Sequence, residues 1–165
     1  IYNRNLIMTI GEKLKSGDKA PNFTLPIALD KHINLKEYIG TNIVLFFYPK
    51  DDTPGCTKEA IGFSEHISIL KDLNTVVIGI SKDTIAKHKK FKEKHSLKVL
   101  LASDYEQDIC EKYGVWVEKN MYGRKYMGIE RTTFLIDKKG VINKVWNKVK
   151  VSGHIEEVIN SIKSS

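Results

Sequence analysis

Ile43-Val-Leu-Phe-Phe-Tyr48 runs through Pro49-Lys-Asp-Asp-Thr-Pro-Gly-Cys56-Thr-Lys-Glu59 and on to Thr75-Val-Val-Ile-Gly-Ile80. Both ends of this stretch are unbroken apolar runs rich in β-formers. A strand without polar alternation is buried on both faces, as strands of a parallel sheet are. Between the runs, Ala60, Phe63, Ile67, Leu70 and Leu73 recur at spacings of three and four, which make one face of a helix. Strand, helix, strand over about 38 residues is a βαβ unit, whose crossover is right-handed.

Downstream, the pattern predicts a helix over 84–95 and a short strand over 97–102. Asp104 opens a further helix, with Gln107 three residues on in a capping-box variant, and Gly114 closes it. Strands at 133–137 and 141–146 flank the turn Asp137-Lys-Lys-Gly140. Ser152 or Gly153 leads into a last helix with Ile155, Val158, Ile159 and Ile162 on one face. Upstream, 23–25 and 33–35 form a small hairpin. The sum is an α/β domain, a mixed sheet covered by helices on both faces. A thioredoxin-like fold has this order, although periodicity alone leaves it one option among several.

The chain has 165 residues, 41% hydrophobic and 28% charged, which fits one globular domain and excludes a disordered chain. No apolar run reaches the roughly 18 residues that span a bilayer. Two cysteines, Cys56 and Cys110, make neither a disulfide scaffold nor a zinc finger. The net charge is +7, but only Arg4, Arg124 and Arg131 are arginines. Lysine is the usual solubilising charge, whereas arginine does most base reading, so neither nucleic acid nor a membrane is expected as a partner. The basic stretch from Lys82 to Lys98 is a solvated helix face. Residues 1–7 are read as a tag remnant or N-terminal extension, and 8–165 as a single domain.

Cys56 falls in the first turn of the helix that follows a buried strand. Chemistry in open α/β sheets sits at such carboxyl ends of strands. The thiolate is the nucleophile, and an ordinary thiol with a pKa of about 8.5 is only a few per cent ionised at neutral pH. Lowering such a value to about 6 requires ~3.4 kcal/mol. A helix N-terminus supplies about 0.3–1 kcal/mol, at most ~2. A cation must add the rest, and one at ~4 Å contributes on the order of 4 kcal/mol at an effective dielectric of 20. Arg131 is the candidate, because it precedes a buried strand that should lie beside Ile43–Tyr48. A lone cysteine is more often a small core residue, but Pro-Gly before it and Thr57, Lys58 and Glu59 after it are not core company.

Pro49-x-x-x-Thr53-Pro-Gly-Cys56-Thr-x-Glu59 resembles the active-site signature of the peroxiredoxins. With Gly17-Asp-x-Ala-Pro-x-Phe-Thr-Leu25, Tyr113-Gly-Val-Trp116, Met127-Gly-Ile129 and Arg131-x-Thr-Phe-Leu-Ile-Asp137, the resemblance extends over 14–163. It is to the bacterioferritin comigratory protein, or peroxiredoxin Q, subfamily. The resemblance implies a thioredoxin-like fold and a peroxidase that reduces hydrogen peroxide and organic hydroperoxides for antioxidant defence, with no cofactor or metal. Cys56 would be the peroxidatic cysteine and Thr53 would hydrogen-bond the peroxide. Pro49 would shield the thiolate, and Arg131 would stabilise thiolate and leaving oxygen. Glu59 matches the motif and is read as orienting Arg131, against a surface carboxylate as the plainer alternative.

Many members carry a resolving cysteine five residues after the peroxidatic one; here that residue is Ile61. Others carry it on the next helix, which here has none. Cys110 remains, and two cysteines must come within about 7 Å Cα to Cα to bridge. Cys110 is read first as structural, and the cycle as a one-cysteine cycle with an external thiol. Thioredoxin, glutaredoxin or a low-molecular-weight thiol are the expected reductants. The alternatives are a two-cysteine cycle through Cys110, a thiol–disulfide oxidoreductase, or a redox sensor. A dithiol oxidoreductase wants Cys-x-x-Cys, and Glu59 stands where the second cysteine would be.

The histidines offer little. His88 and His95 lie about 10.5 Å apart along a helix, too far to share a metal, and His66 is about 15 Å from Cys56 by the same rise. His154 is read as a surface residue. Trp116, Trp146 and the 122–126 region are read as packing or pocket-lining. A monomer in the cytoplasm is expected, with a dimer as the alternative.

Overall fold

The computed structural model describes residues 13–165, so the extension expected at 1–7 lies outside the described residues. Nine strands and five α-helices follow one another among them. An N-terminal hairpin, β1 (Thr24–Ala28) with β2 (Lys31–Asn34), pairs Leu25 with Ile33. A 3-10 turn at Leu35–Tyr38 leads into β3 (Asn42–Phe47). Next come α1 (Pro54–Glu65), α2 (Ile67–Asp72), β4 (Thr75–Ser81), α3 (Ile85–His95), β5 (Leu100–Ser103) and α4 (Ile109–Lys112). The chain finishes with β6 (Trp116–Met121), β7 (Arg124–Ile129), β8 (Thr132–Ile136), β9 (Ile142–Trp146) and α5 (His154–Lys163).

The central sheet has the order β5-β4-β3-β8-β9. β3, β4 and β5 are parallel, while β8 is antiparallel to both its neighbours. The doubly apolar run at 43–48 sits in the middle, and pleating divides it between two cores. Ile43, Leu45 and Phe47 pack with the N-terminal hairpin, Ile109, Cys110 and Tyr113. Val44, Phe46 and Tyr48 pack with Cys56, Ala60, Phe63, Leu70, Phe91 and the apolar face of α5. The two cysteines therefore belong to cores on opposite faces of the sheet. Gly79 in β4 makes room for this packing, since a Cβ there would lie 2.6 Å from the Phe46 ring.

Several elements differ from their sequence reading. The helix expected from Ala60 to Leu73 is broken at His66 into α1 and α2. The strand expected at 97–102 is Leu100–Ser103. Asp104 does not open a helix directly. Its carboxylate reaches five and six residues ahead to accept the N–H groups of Ile109 and Cys110, and only the single turn Ile109–Lys112 is helical. The hairpin of β6 and β7 has no counterpart in the sequence pattern. Its turn, Tyr122-Gly123, has positive φ at both residues (54° and 81°), as a tight hairpin turn requires. Tyr122 is fully exposed at the tip and Tyr126 is exposed beside it, so this region does not pack as expected. Among the described residues no helix is long and apolar enough to cross a membrane.

Candidate active site

β3 ends beside the start of β8, with Phe47 paired to Thr132. That register carries Arg131 to the mouth of the loop that leads from β3 into α1. Pro54 occupies the first helical position, where a missing N–H costs nothing. Thr53 is the N-cap residue, but its side chain makes no capping bond; its hydroxyl donates instead to the Lys50 carbonyl at 2.9 Å. The first intrahelical bond from this cap runs from the Thr57 N–H to the Thr53 carbonyl. The N–H groups of Gly55 and Cys56 are thus left facing outward from the helix N-terminus, a ready anion cradle.

Cys56 is 1% exposed at the edge of its hydrophobic core. Arg131 Nη2 donates to its Sγ at 3.3 Å, and Nη1 donates to Glu59 Oε1 at 2.7 Å. One guanidinium therefore spans the sulfur and the carboxylate one turn further along α1. Gly55 permits that approach, because a Cβ there would sit 3.1 Å from Nη2. Burial works against the charge on Arg131, but Glu59 and Cys56 together hold it more firmly protonated than an ordinary arginine. Lys119 on β6 is lowered by burial and by Arg131, while Cys56 acts the other way, so a second cation feels this charge centre.

Glu59 is not the surface carboxylate of the plainer alternative. It is completely buried, and its Oε2 finds no hydrogen-bond partner among the described residues. Burial pushes its carboxyl up to about 7, against the pull of Arg131. This predicts a pH signature. Between the ordinary carboxyl value and about 7, the unfolded chain gives up the Glu59 proton while the folded chain keeps it. Stability therefore falls as pH rises through that window, with a slope approaching ~1.4 kcal/mol per pH unit. Denaturant midpoints of wild type and Glu59→Gln, measured from acidic to slightly alkaline pH, should show the wild type gaining on the variant as pH falls. A difference that does not change with pH contradicts the assignment.

His154 is buried, contrary to its surface reading. Its Nε2 meets the Thr133 hydroxyl at 2.8 Å, and its ring stands edge-on to Phe63 and Trp146. Burial lowers its pKa, and the Arg131 charge adds to that. Its neighbours Ile155 and Val158 were the legible signal for a buried face, but a histidine in a first helical turn resembles a solvated one. Trp116 is half-buried under the Lys82 ammonium, which lies 5.0 Å from its ring.

Cys110 is far less available. It packs in the opposite core, and burial, followed by Asp104, drives its thiol strongly toward the protonated form. Both cysteines are free. Asp51, Asp83 and His88 place donor atoms within 4.8 Å of one another, but the trio is closed by its own hydrogen bonds.

The AhpC/TSA family model matches residues 16–145. The chain is 52% identical to peroxiredoxin bcp of Coxiella burnetii over 149 residues, which is 90% of this chain and 99% of the relative. It is 47% identical to peroxiredoxin Bcp of Bacillus subtilis, over 91% and 96% of the two chains. Among solved structures, a cysteine-to-serine mutant of Xylella fastidiosa PrxQ superposes with a TM-score of 0.87 at 35% identity, covering 93% of this chain and 98% of that one. The bacterioferritin comigratory protein of Xanthomonas campestris gives 0.81 at 34% identity, over 86% and 90%. The thioredoxin-like fold and the charge centre around Cys56 thus occur in a chain that belongs to the AhpC/TSA family, as a peroxiredoxin of the bacterioferritin comigratory protein group.

Proposed function

We propose that Cys56, as thiolate, is the nucleophile of this thiol peroxidase, and that Arg131, Thr53, Pro49 and Glu59 assist it in distinct ways. The observation that carries this reading is the Arg131 guanidinium, 3.3 Å from Sγ and anchored by Glu59 at 2.7 Å. The sulfur attacks the terminal oxygen of a hydroperoxide. The S–O bond forms as the O–O bond breaks, leaving a sulfenic acid and an alkoxide or hydroxide that takes up a proton. Sulfur loses two electrons and the peroxide gains them.

Each neighbour has a part that its position supports. Arg131 stabilises the thiolate first and the departing oxygen next. The Gly55 and Cys56 N–H groups hold the peroxide at the helix N-terminus. Thr53 spends its own proton on Lys50, so its oxygen is available to accept one from the peroxide. Pro49, half-buried two residues after β3, keeps water from the thiolate. Glu59 orients Arg131.

The cycle we propose closes without a second cysteine of this chain. A thiol attacks the sulfenic acid to give a mixed disulfide and water; a second thiol then releases Cys56. Thioredoxin, glutaredoxin or a small thiol would serve. The opposite cores of Cys56 and Cys110 favour this route over an internal disulfide. A monomer is proposed as the working unit, with a dimer as the alternative. Two free thiols suit a reducing cytoplasm. The Xanthomonas campestris relative is described by alkyl peroxide reduction activity, and alkyl hydroperoxides are proposed as substrates here too.

Peptide mapping after one equivalent of peroxide tests the cycle. Sulfenic acid or a mixed disulfide at Cys56, with Cys110 still reduced, is the expected result. A Cys56–Cys110 disulfide overturns it.

A further inference from the structure

Helix α3 contributes nothing to the chemistry described so far, yet it grips the loop between β3 and α1 from two sides. On the inside, His88 is 1% exposed. Its Nε2 faces the Ala102 carbonyl at 3.1 Å. A carbonyl only accepts, so that nitrogen carries a proton. Its Nδ1 lies 2.6 Å from Asp51 Oδ2. The other Asp51 oxygen accepts from the Tyr48 hydroxyl at 2.6 Å, and the Asp51 N–H donates to Asp83 Oδ2 at 2.8 Å. The same Asp83 oxygen accepts from the Ser81 hydroxyl at 2.6 Å. Asp51 is therefore fixed through its side chain by α3 and by Tyr48 just after β3, and through its main chain by Asp83 just after β4.

On the outside, Asp52 turns the chain with a left-handed φ of 59°. Its exposed carboxylate meets Lys94 at 2.8 Å and His95 at 2.9 Å, both on α3. The residues clamped are the ones that set Thr53. Its hydroxyl donates to Lys50, immediately before the two aspartates, and Thr53 follows them. The hydrogen bonds of this clamp do not include Cys56, whose partner Arg131 arrives from the opposite side, at the start of β8. Two separate supports thus converge on one site: β8 supplies the charge beside the sulfur, and α3 holds the loop that faces the peroxide.

We infer that His88 is a positioning residue for peroxide reduction, acting through Asp51 on the loop that carries Pro49 and Thr53, with Asp52 as its outer counterpart. The inference rests on the peroxidase reading above. It predicts a dissociation of two rates that a merely structural role would not produce. Reaction of Cys56 with peroxide needs Thr53 in place. Alkylation by iodoacetamide needs only an ionised, reachable sulfur. Misplacing a positioning group by about an ångström can cost up to a hundredfold in rate.

Both rates are to be measured by rapid mixing at neutral pH on the full chain carrying Cys110→Ala, so that one thiol reports. His88→Ala should slow oxidation by hydrogen peroxide about tenfold or more while alkylation stays within about twofold. Asp52→Ala alters an exposed residue and will fold even if His88→Ala does not; it should slow oxidation several-fold and leave alkylation alone. Oxidation unchanged in the folded variants, or both rates falling in parallel, overturns the inference. A wild type that oxidises no faster than free cysteine defeats the peroxidase reading itself, and this inference with it.

Discussion

Cys56→Ser should abolish peroxide consumption, a loss of about four orders of magnitude or more against the wild type. A serine hydroxyl does not ionise near neutral pH, so the Arg131 donor at 3.3 Å would face a neutral oxygen. Nor can serine oxygen accept the transferred oxygen as sulfur does. The substitution is small and sits at the edge of a core, so the fold should persist. A circular dichroism spectrum like that of the wild type would show that chemistry, not structure, is lost. Cys110→Ala is the control, and it should retain most activity because its thiol is buried in the other core. Peroxide consumption surviving in Cys56→Ser would move the nucleophile to Cys110, and consumption vanishing in Cys110→Ala with the fold intact would overturn the one-cysteine cycle.

Arg131→Met should lower the second-order rate with peroxide by about two to four orders of magnitude at neutral pH. A unit charge at about 4 Å interacts with another by on the order of 4 kcal/mol at an effective dielectric of 20, and 1.4 kcal/mol is tenfold. Methionine keeps the aliphatic bulk, so packing changes little. The loss has two parts, one at the attacking sulfur and one at the departing oxygen. Glu59 would be left buried without its partner, so its carboxyl should move further up and stay protonated. No loss at all, with the fold intact, would remove Arg131 from the reaction.

The central strands and the Cys56 turn were legible because each carries a one-dimensional signature. An unbroken apolar run at 43–48 means burial on both faces, and a Pro-Gly-Cys at a strand-to-helix turn means a thiol at a helix N-terminus. Arg131 was legible because only one arginine adjoins a strand able to pair with β3. Glu59 was half legible. Three residues after Cys56 it shares a face of α1, but its complete burial and its pairing with Arg131, 72 residues away, are set by the tertiary fold. The rest depends on contacts that no local pattern encodes. His154 is buried because Thr133 on β8 offers it a hydroxyl. Asp104 skips a turn because its carboxylate finds N–H groups five and six residues away. β6 and β7 escaped notice because both faces of that hairpin are largely exposed and its strands lack alternation. The His88–Asp51 pair joins residues 37 apart, a distance that no helical or strand spacing links.

Whether Arg131 activates the Cys56 sulfur is best tested by the second-order rate of its oxidation by hydrogen peroxide in the Cys110→Ala background, with and without Arg131→Met. We expect the chain that keeps the guanidinium, 3.3 Å from the sulfur, to react orders of magnitude faster than free cysteine, and the Arg131→Met chain to lose about a hundredfold or more. Equal rates in the two chains, both matching free cysteine, would contradict the account.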